Sequence, residues 1–204
     1  MRTVYVNGEF IAEQDAKVSI FDRAFLFADG VYEVTSVLNG KLVDFDNHIK
    51  RLKRSMKELN FGPKINEEEL LAFHRKLVDL NEIKEGIIYL QVSRGIAERD
   101  FAFPDSKTAL TITAFTQKKD LIDNPSAHNG ISIITVDDLR WKRCDIKTIQ
   151  LLYPSMAKTE AMKQGADDAW MVQNGYVMEG SSNNAWIIKG QNIYTREADN
   201  LILK

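Results

Sequence analysis

Three histidines, one cysteine and a scatter of lysines and arginines are the residues of this 204-residue chain most open to chemistry, and their spacing excludes more than it assigns. His48, His74 and His128 show no metal-ligand spacing among themselves or with Cys144, so each reads as a surface or helix-packing histidine. A G-x-S-x-G nucleophile elbow is absent, as are the Walker and Rossmann phosphate-binding glycine loops. A hydrolase or a metalloenzyme therefore has little direct support. Lys147 sits among Ile146, Ile149, Leu151 and Leu152, which marks a partly buried segment. A lysine whose surroundings lower its pKa can condense with a carbonyl and then serve as a proton-transfer base. Lys158 competes for that role, and most lysines are solvated charges, so residue type alone does not choose between them. Arg51 belongs to a basic helix face with Lys50, Lys53 and Arg54, where one guanidinium is enough to hold a small anion through two parallel donors.

The whole-chain balance narrows the partners. A formal net charge of -2 argues against nucleic acid and removes a general reason to bind an anionic membrane. A single cysteine cannot form an intrachain disulfide, which fits a reducing compartment. The start, MRTVYVNGEF, has no apolar signal region, and no stretch reaches membrane-spanning length, so the expected location is the cytoplasm.

Turn and helix signals supply the frame. Asn7-Gly8, Asn39-Gly40 and Asn174-Gly175 favour tight turns in which both central residues take positive φ, predicting hairpins at 3–12, 32–44 and 168–178. Another hairpin is expected through Lys189-Gly190-Gln191-Asn192. A helix over about 46–59 carries the stripe Ile49, Leu52, Met56 and Leu59. A second helix starts at Asn66, with Glu69 in capping-box position, and buries Leu70, Leu71, Phe73, Leu77 and Leu80. Strands are expected at 87–94, 109–116, 131–136, 168–173, 176–179 and 185–189, with a helix at about 154–164 that Gly165 ends. Polar 117–130, with Pro125 and Asn129-Gly130, reads as a linker between domains at 1–116 and 131–204. Many hairpins with few helices make the class α+β.

Six segments, in order along the chain, carry a resemblance: FDRAFLFADGVYEV (21–34), DNHIKRL (46–52), QVSRGIAERDFAFP (91–104), RWKRCDIKTIQLL (140–152), MEGSSNNAWIIK (178–189) and NLILK (200–204). Together they resemble the fold-type IV, or class IV, pyridoxal-phosphate aminotransferases, most closely the D-amino-acid aminotransferase branch. The resemblance implies a two-domain architecture, pyridoxal 5′-phosphate as cofactor, an amino acid and a 2-oxo acid as substrates, and a homodimer. It implies Lys147 as the catalytic lysine that bonds to the cofactor aldehyde, and Glu179 as the carboxylate facing the pyridine nitrogen. Arg51 matches the phosphate-binding arginine, Leu203 an apolar residue against the ring, and Ser182 a residue near the phosphate side. Tyr32 and Arg99 match the substrate-carboxylate pocket, the counterpart of Arg99 arriving on a loop from the partner subunit.

Departures from the pattern are few. Phe101 stands where D-specific sequences carry histidine, and Ala24 and Ala28 replace two glycines, which matters only where positive φ is required. Asn183 replaces a serine. The family's pattern also continues past NLILK, so the second domain is expected to be incomplete, with uncovered apolar surface and weakened cofactor binding. A lyase acting on aminodeoxychorismate, a branched-chain L-amino-acid aminotransferase, and a non-catalytic remnant are the alternatives on the same scaffold.

Overall fold

A computed structural model describes residues 1–203; Lys204, the last residue of the NLILK run, lies outside the described residues. The chain divides into two compact units. One holds Met1–Ile122 together with Lys147–Ile149; the other holds Asp123–Ile146 and the chain from Gln150 onward.

The first unit is built on a six-stranded sheet with all pairings antiparallel. Its strands are β1 (Thr3–Val6), β2 (Glu9–Ala12), β3 (Gly30–Leu38), β4 (Lys41–Leu42), β5 (Glu85–Ser93) and β6 (Thr111–Lys118), in the order β2-β1-β6-β5-β3-β4. The Asn-Gly pairs close the predicted turns: Asn7 and Gly8 take φ of 47° and 101°, Asn39 and Gly40 of 51° and 73°. Helices α1 (Arg23–Phe27), α2 (Phe45–Glu58) and α3 (Glu67–Leu80) complete the unit; α2 packs on β3, and α3 on β1 and β6. Of the expected α2 stripe Ile49, Leu52 and Met56 are buried, each contributing about 1.5–3 kcal/mol by leaving water, while Leu59 follows the helix end and is half-buried. Asn66 caps α3 through its side-chain oxygen, which accepts from the Glu68 and Glu69 amides at 3.0 and 3.4 Å.

One sequence expectation needs correction here, and one element was not expected. The buried face of α3 is Leu70, Phe73, His74, Leu77 and Val78, whereas Leu80 is exposed. Leu80 is the last residue of the helix and lies off the buried stripe, whereas His74 fills the inward position four residues after Leu70. The short helix α1 has no periodic apolar signal; it is set by Asp22, whose side chain accepts from the Ala24 amide at 2.8 Å.

Inside 117–130, β6 runs on to Lys118, the Glu85 carboxylate accepts from the Leu121 and Ile122 amides, and Asn124 caps the short α4 (Pro125–Asn129). The second unit then pairs β7 (Ile133–Asp137) in parallel with β8 (Asp168–Gln173), which pairs antiparallel with β9 (Tyr176–Gly180). Helix α5 (Leu152–Lys163) packs on β7 and β8 through Ala157 and Ala161 against Ala169, Ile134 and Val136. Gly165, at φ 77°, follows its C-terminus. A separate hairpin, β10 (Trp186–Lys189) with β11 (Asn192–Thr195), exposes Trp186, Ile187, Ile188, Ile193 and Tyr194.

Candidate functional site

Strand β3 organises the candidate residues of the first unit. Side chains alternate across a strand, and here Val31, Glu33, Thr35 and Val37 point to the buried face while Tyr32, Val34 and Ser36 point to the other. Glu33 therefore enters the core beneath α2 as a carboxylate among valines. Burial alone would push its pKa up. Hydrogen bonds from Arg51 and His48, with the charges of Arg51 and Lys147, outweigh that and hold it below the usual carboxylate range. The Arg51 pair is a fork on a fork: Nε donates to Oε1 at 2.8 Å and a terminal nitrogen to Oε2 at 2.7 Å. His48 Nδ1 lies 2.8 Å from the same Oε2. His48 and Arg51 are three residues apart on α2 and so share one helix face. The pairing with Glu33 also raises the pKa of Arg51, fixing it as a permanent cation.

Lys147 reaches this strand because β4 is short. β4 covers only Val37 and Leu38, which leaves the other end of that edge of β3 open. Lys147–Ile149 takes the open end: the Tyr32 amide donates to the Lys147 carbonyl at 3.0 Å, the Ile149 amide to the Gly30 carbonyl at 3.1 Å, and Thr148 bridges Val31. The Lys147 amide lies 3.3 Å from the hydroxyl of Ser55 on α2. Gly30 permits the close approach, since a Cβ there would sit 2.9 Å from Ile149 Cδ1 and 3.1 Å from the Val92 carbonyl oxygen. The Lys147 ammonium lies 4.4 Å from the centroid of the Tyr32 ring. That ring stacks on Tyr89, and Tyr89 on Phe115, across the outer face of the sheet. The structure thus brings Tyr32, Arg51 and Lys147 to one end of β3.

Arg99 stands on the exposed loop after β5, its guanidinium 5.5 Å from the rings of both Phe27 and Phe101. Within the second unit, Glu179 lies buried on β9. One of its oxygens accepts from Arg140, and the other from the Asn184 side chain and the Leu203 amide, each at 3.3 Å. Arg140 also forks onto Asp138 at 2.9 and 2.7 Å. Its burial opposes the charged form, but the two carboxylates overcome this and raise its pKa. Leu203 thus meets Glu179 through its backbone. Ser182 is exposed on the turn after β9, beside Ser181 and Asn183, which both bond to Asp168. Lys158, the competing amine, is engaged by the Asp167 carbonyl and Asp168.

Sequence reading missed Glu33, His48, Arg140 and Asn184. A signal existed for the first two: a Glu on the valine face of a strand, matched by a His and an Arg on one face of the next helix. Arg140 reaches Glu179 from 39 positions away and gave none, and Asn184, five residues after Glu179, is brought back to it by the turn after β9.

The first unit holds an amine and a fixed cation and the second a buried, oriented carboxylate, side-chain types that pyridoxal phosphate chemistry uses. Among the described residues no helix is long and apolar enough to cross a membrane, and no cluster of three or more His, Cys, Asp or Glu is suited to a metal ion. Residues 30–204 match the family described as amino-transferase class IV. A D-alanine aminotransferase of Staphylococcus aureus is 43% identical over 205 residues, covering 100% of this chain and 72% of its own length. One from Bacillus licheniformis is 40% identical over 202 residues, covering 98% of this chain and 70% of its own. In fold, the chain is similar to the branched-chain amino acid aminotransferase of Escherichia coli, with a TM-score of 0.85 at 20% identity over 99% of this chain and 70% of the other. It is likewise similar to a putative 4-amino-4-deoxychorismate lyase of Legionella pneumophila, with a TM-score of 0.82 at 23% identity over 94% and 70%. Sequence and fold agree: this chain belongs to the class IV aminotransferases, the pyridoxal-phosphate-dependent transaminases of this architecture.

Proposed function

We propose that this transaminase takes D-amino acids, D-alanine foremost, as amino donors and a 2-oxo acid such as 2-oxoglutarate as acceptor, working as a cytoplasmic homodimer. The observation that carries the substrate choice is the likeness along the whole chain to D-alanine aminotransferases at 40–43% identity. The branched-chain enzyme and the lyase share the fold at 20–23% identity, a likeness that carries no substrate.

When bound, pyridoxal phosphate supplies an aldehyde for the amino group and a ring that draws electrons from the substrate carbon. Lys147 is the amine we assign to that aldehyde. With the cofactor bound, the Lys147 amine would be the group that takes the substrate α-proton and later gives a proton back, so one group would serve as base and then acid. Its place on the edge of β3, fixed by backbone hydrogen bonds at both Tyr32 and Gly30, limits the arc its side chain can sweep.

Arg51 holds the phosphate, and Glu33 and His48 fix the plane of its guanidinium beforehand. Glu179 would meet the ring nitrogen, with Arg140 and Asn184 fixing the plane of its carboxylate. Leu203 would pack against the ring, and Ser182 would stand on the phosphate side. Tyr32 and Arg99 receive the substrate carboxylate, Arg99 across the dimer. Phe101 gives that pocket a ring where a histidine would give a donor, so carboxylate recognition leans on Arg99.

The test is a coupled assay on cofactor-loaded protein. Pyruvate should form from D-alanine only when a 2-oxo acid is present, and L-alanine should yield far less. Pyruvate released without an acceptor, or faster turnover of L-leucine than of D-alanine, would contradict the proposal.

A further inference from the structure

Arg23 and Arg94 are buried on either side of one carboxylate. Both Nε atoms donate to Asp29 Oδ2, at 2.7 and 2.8 Å. Two guanidiniums and one carboxylate leave a positive excess in a place that water does not reach, and backbone carbonyls satisfy it. Arg94 takes those of Asn60 and Leu59, at 3.0 and 2.7 Å. Arg23 takes those of Asp100 and Ala102, at 2.9 and 3.4 Å, on either side of Phe101. Arg23 also lies 4.5 Å from the Phe27 ring, whose centroid is 5.5 Å from Arg99. Two routes, one through backbone and one through a ring, thus run from one buried side chain to the loop tip that carries Arg99.

The geometry points to Arg23 as a positioning residue for the substrate carboxylate: it anchors the 99–102 loop so that Arg99 is presented in one orientation. This rests on the reading of Arg99 as a carboxylate ligand. Ring contacts also brace the loop, Phe101 meeting Phe27 edge-on with centroids 5.6 Å apart and Phe103 lying 3.8 Å from the Arg94 guanidinium, but the bonds to its backbone carbonyls at 100 and 102 come from Arg23. Arg99, Phe101 and Phe103 are exposed, and the turn over Phe101 is closed by one local bond, from the Ala102 amide to Asp100 Oδ1 at 3.0 Å. A planar fork that reaches Asp29 and two carbonyls at once is a task for arginine. A lysine keeps the charge beside Asp29 but cannot span all three acceptors.

The test compares Arg23→Lys, Asp100→Ala, Arg99→Ala and the Arg23→Lys/Arg99→Ala pair as cofactor-loaded enzymes. Arg23→Lys should raise KM for D-alanine about tenfold, and Asp100→Ala about threefold, with kcat and the cofactor absorbance spectrum unchanged. In the double variant KM should rise no further than in Arg99→Ala alone, because a loose loop matters only through the guanidinium it carries. Amide exchange at residues 99–103 should quicken in Arg23→Lys while β5 and β6 stay protected. Asp100 is exposed, so its variant folds and decides the matter if Arg23→Lys does not. An unchanged KM in Arg23→Lys and Asp100→Ala, beside a raised one in Arg99→Ala, would overturn the anchor and leave the carboxylate assignment standing. An unchanged KM in Arg99→Ala would instead sink the assignment, and the anchor with it.

Discussion

Ala28 shows how much one methyl group can matter. It follows α1 at φ 53° and ψ 30°, in left-handed backbone that glycine adopts freely. An L side chain there costs about 1–2 kcal/mol, whereas glycine gives up about 0.5–1 kcal/mol through the freedom it adds to the unfolded chain. The first effect wins, so Ala28→Gly should stabilise the protein by about 0.5–1 kcal/mol, read as a rise in Tm. A fall in Tm would mean that the Ala28 methyl group contributes packing that outweighs its strain. Ala24, the other residue in place of an expected glycine, sits inside α1 and takes ordinary helical φ. At this scale the sequence was readable where a residue type implies a torsion, as at the Asn-Gly turns and Asn66. It was unreadable where a role comes from a partner far along the chain, as with Arg140 and Glu179, 39 positions apart.

Helix α3 carries a titratable group into the sheet's core. His74 is stacked against Phe73 and meets Phe45 edge-on, and its Nδ1 lies 2.6 Å from the Leu70 carbonyl. Burial pushes its pKa down to about 4, although the Leu70 contact pulls the other way. A depressed pKa means that the unfolded chain binds the proton more tightly than the folded one. The stability is therefore complete above about pH 6.5 and drains away as pH falls towards 4. Over that window the loss amounts to about 3 kcal/mol, and Tm should drop accordingly. His74→Leu should flatten the Tm profile between pH 6.5 and 4; an equal slope in the variant would assign the acid sensitivity elsewhere. The same helix shows the limit of periodicity. Its pattern gives the apolar stripe but cannot tell that a histidine belongs to it and that Leu80 does not, because both depend on what packs against the helix.

At the scale of the whole molecule, the α+β class, the hairpins and both long helices were legible because each rests on local chemistry. In the second unit the hairpin of β10 and β11 carries exposed apolar side chains, Ile188 being 74% exposed. The return of Lys147–Ile149 to the first unit was not legible. It follows from the shortness of β4, which leaves half an edge of β3 unpaired, and a strand's length is poorly marked in sequence. That return is what sets Lys147 beside Tyr32, and the account turns on it. The most direct measurement is borohydride reduction of the protein after incubation with pyridoxal phosphate, followed by peptide mapping. A pyridoxyl group on Lys147, lost in Lys147→Ala, is the predicted result. A group solely on Lys158, or none on a cofactor-saturated sample, would contradict the account.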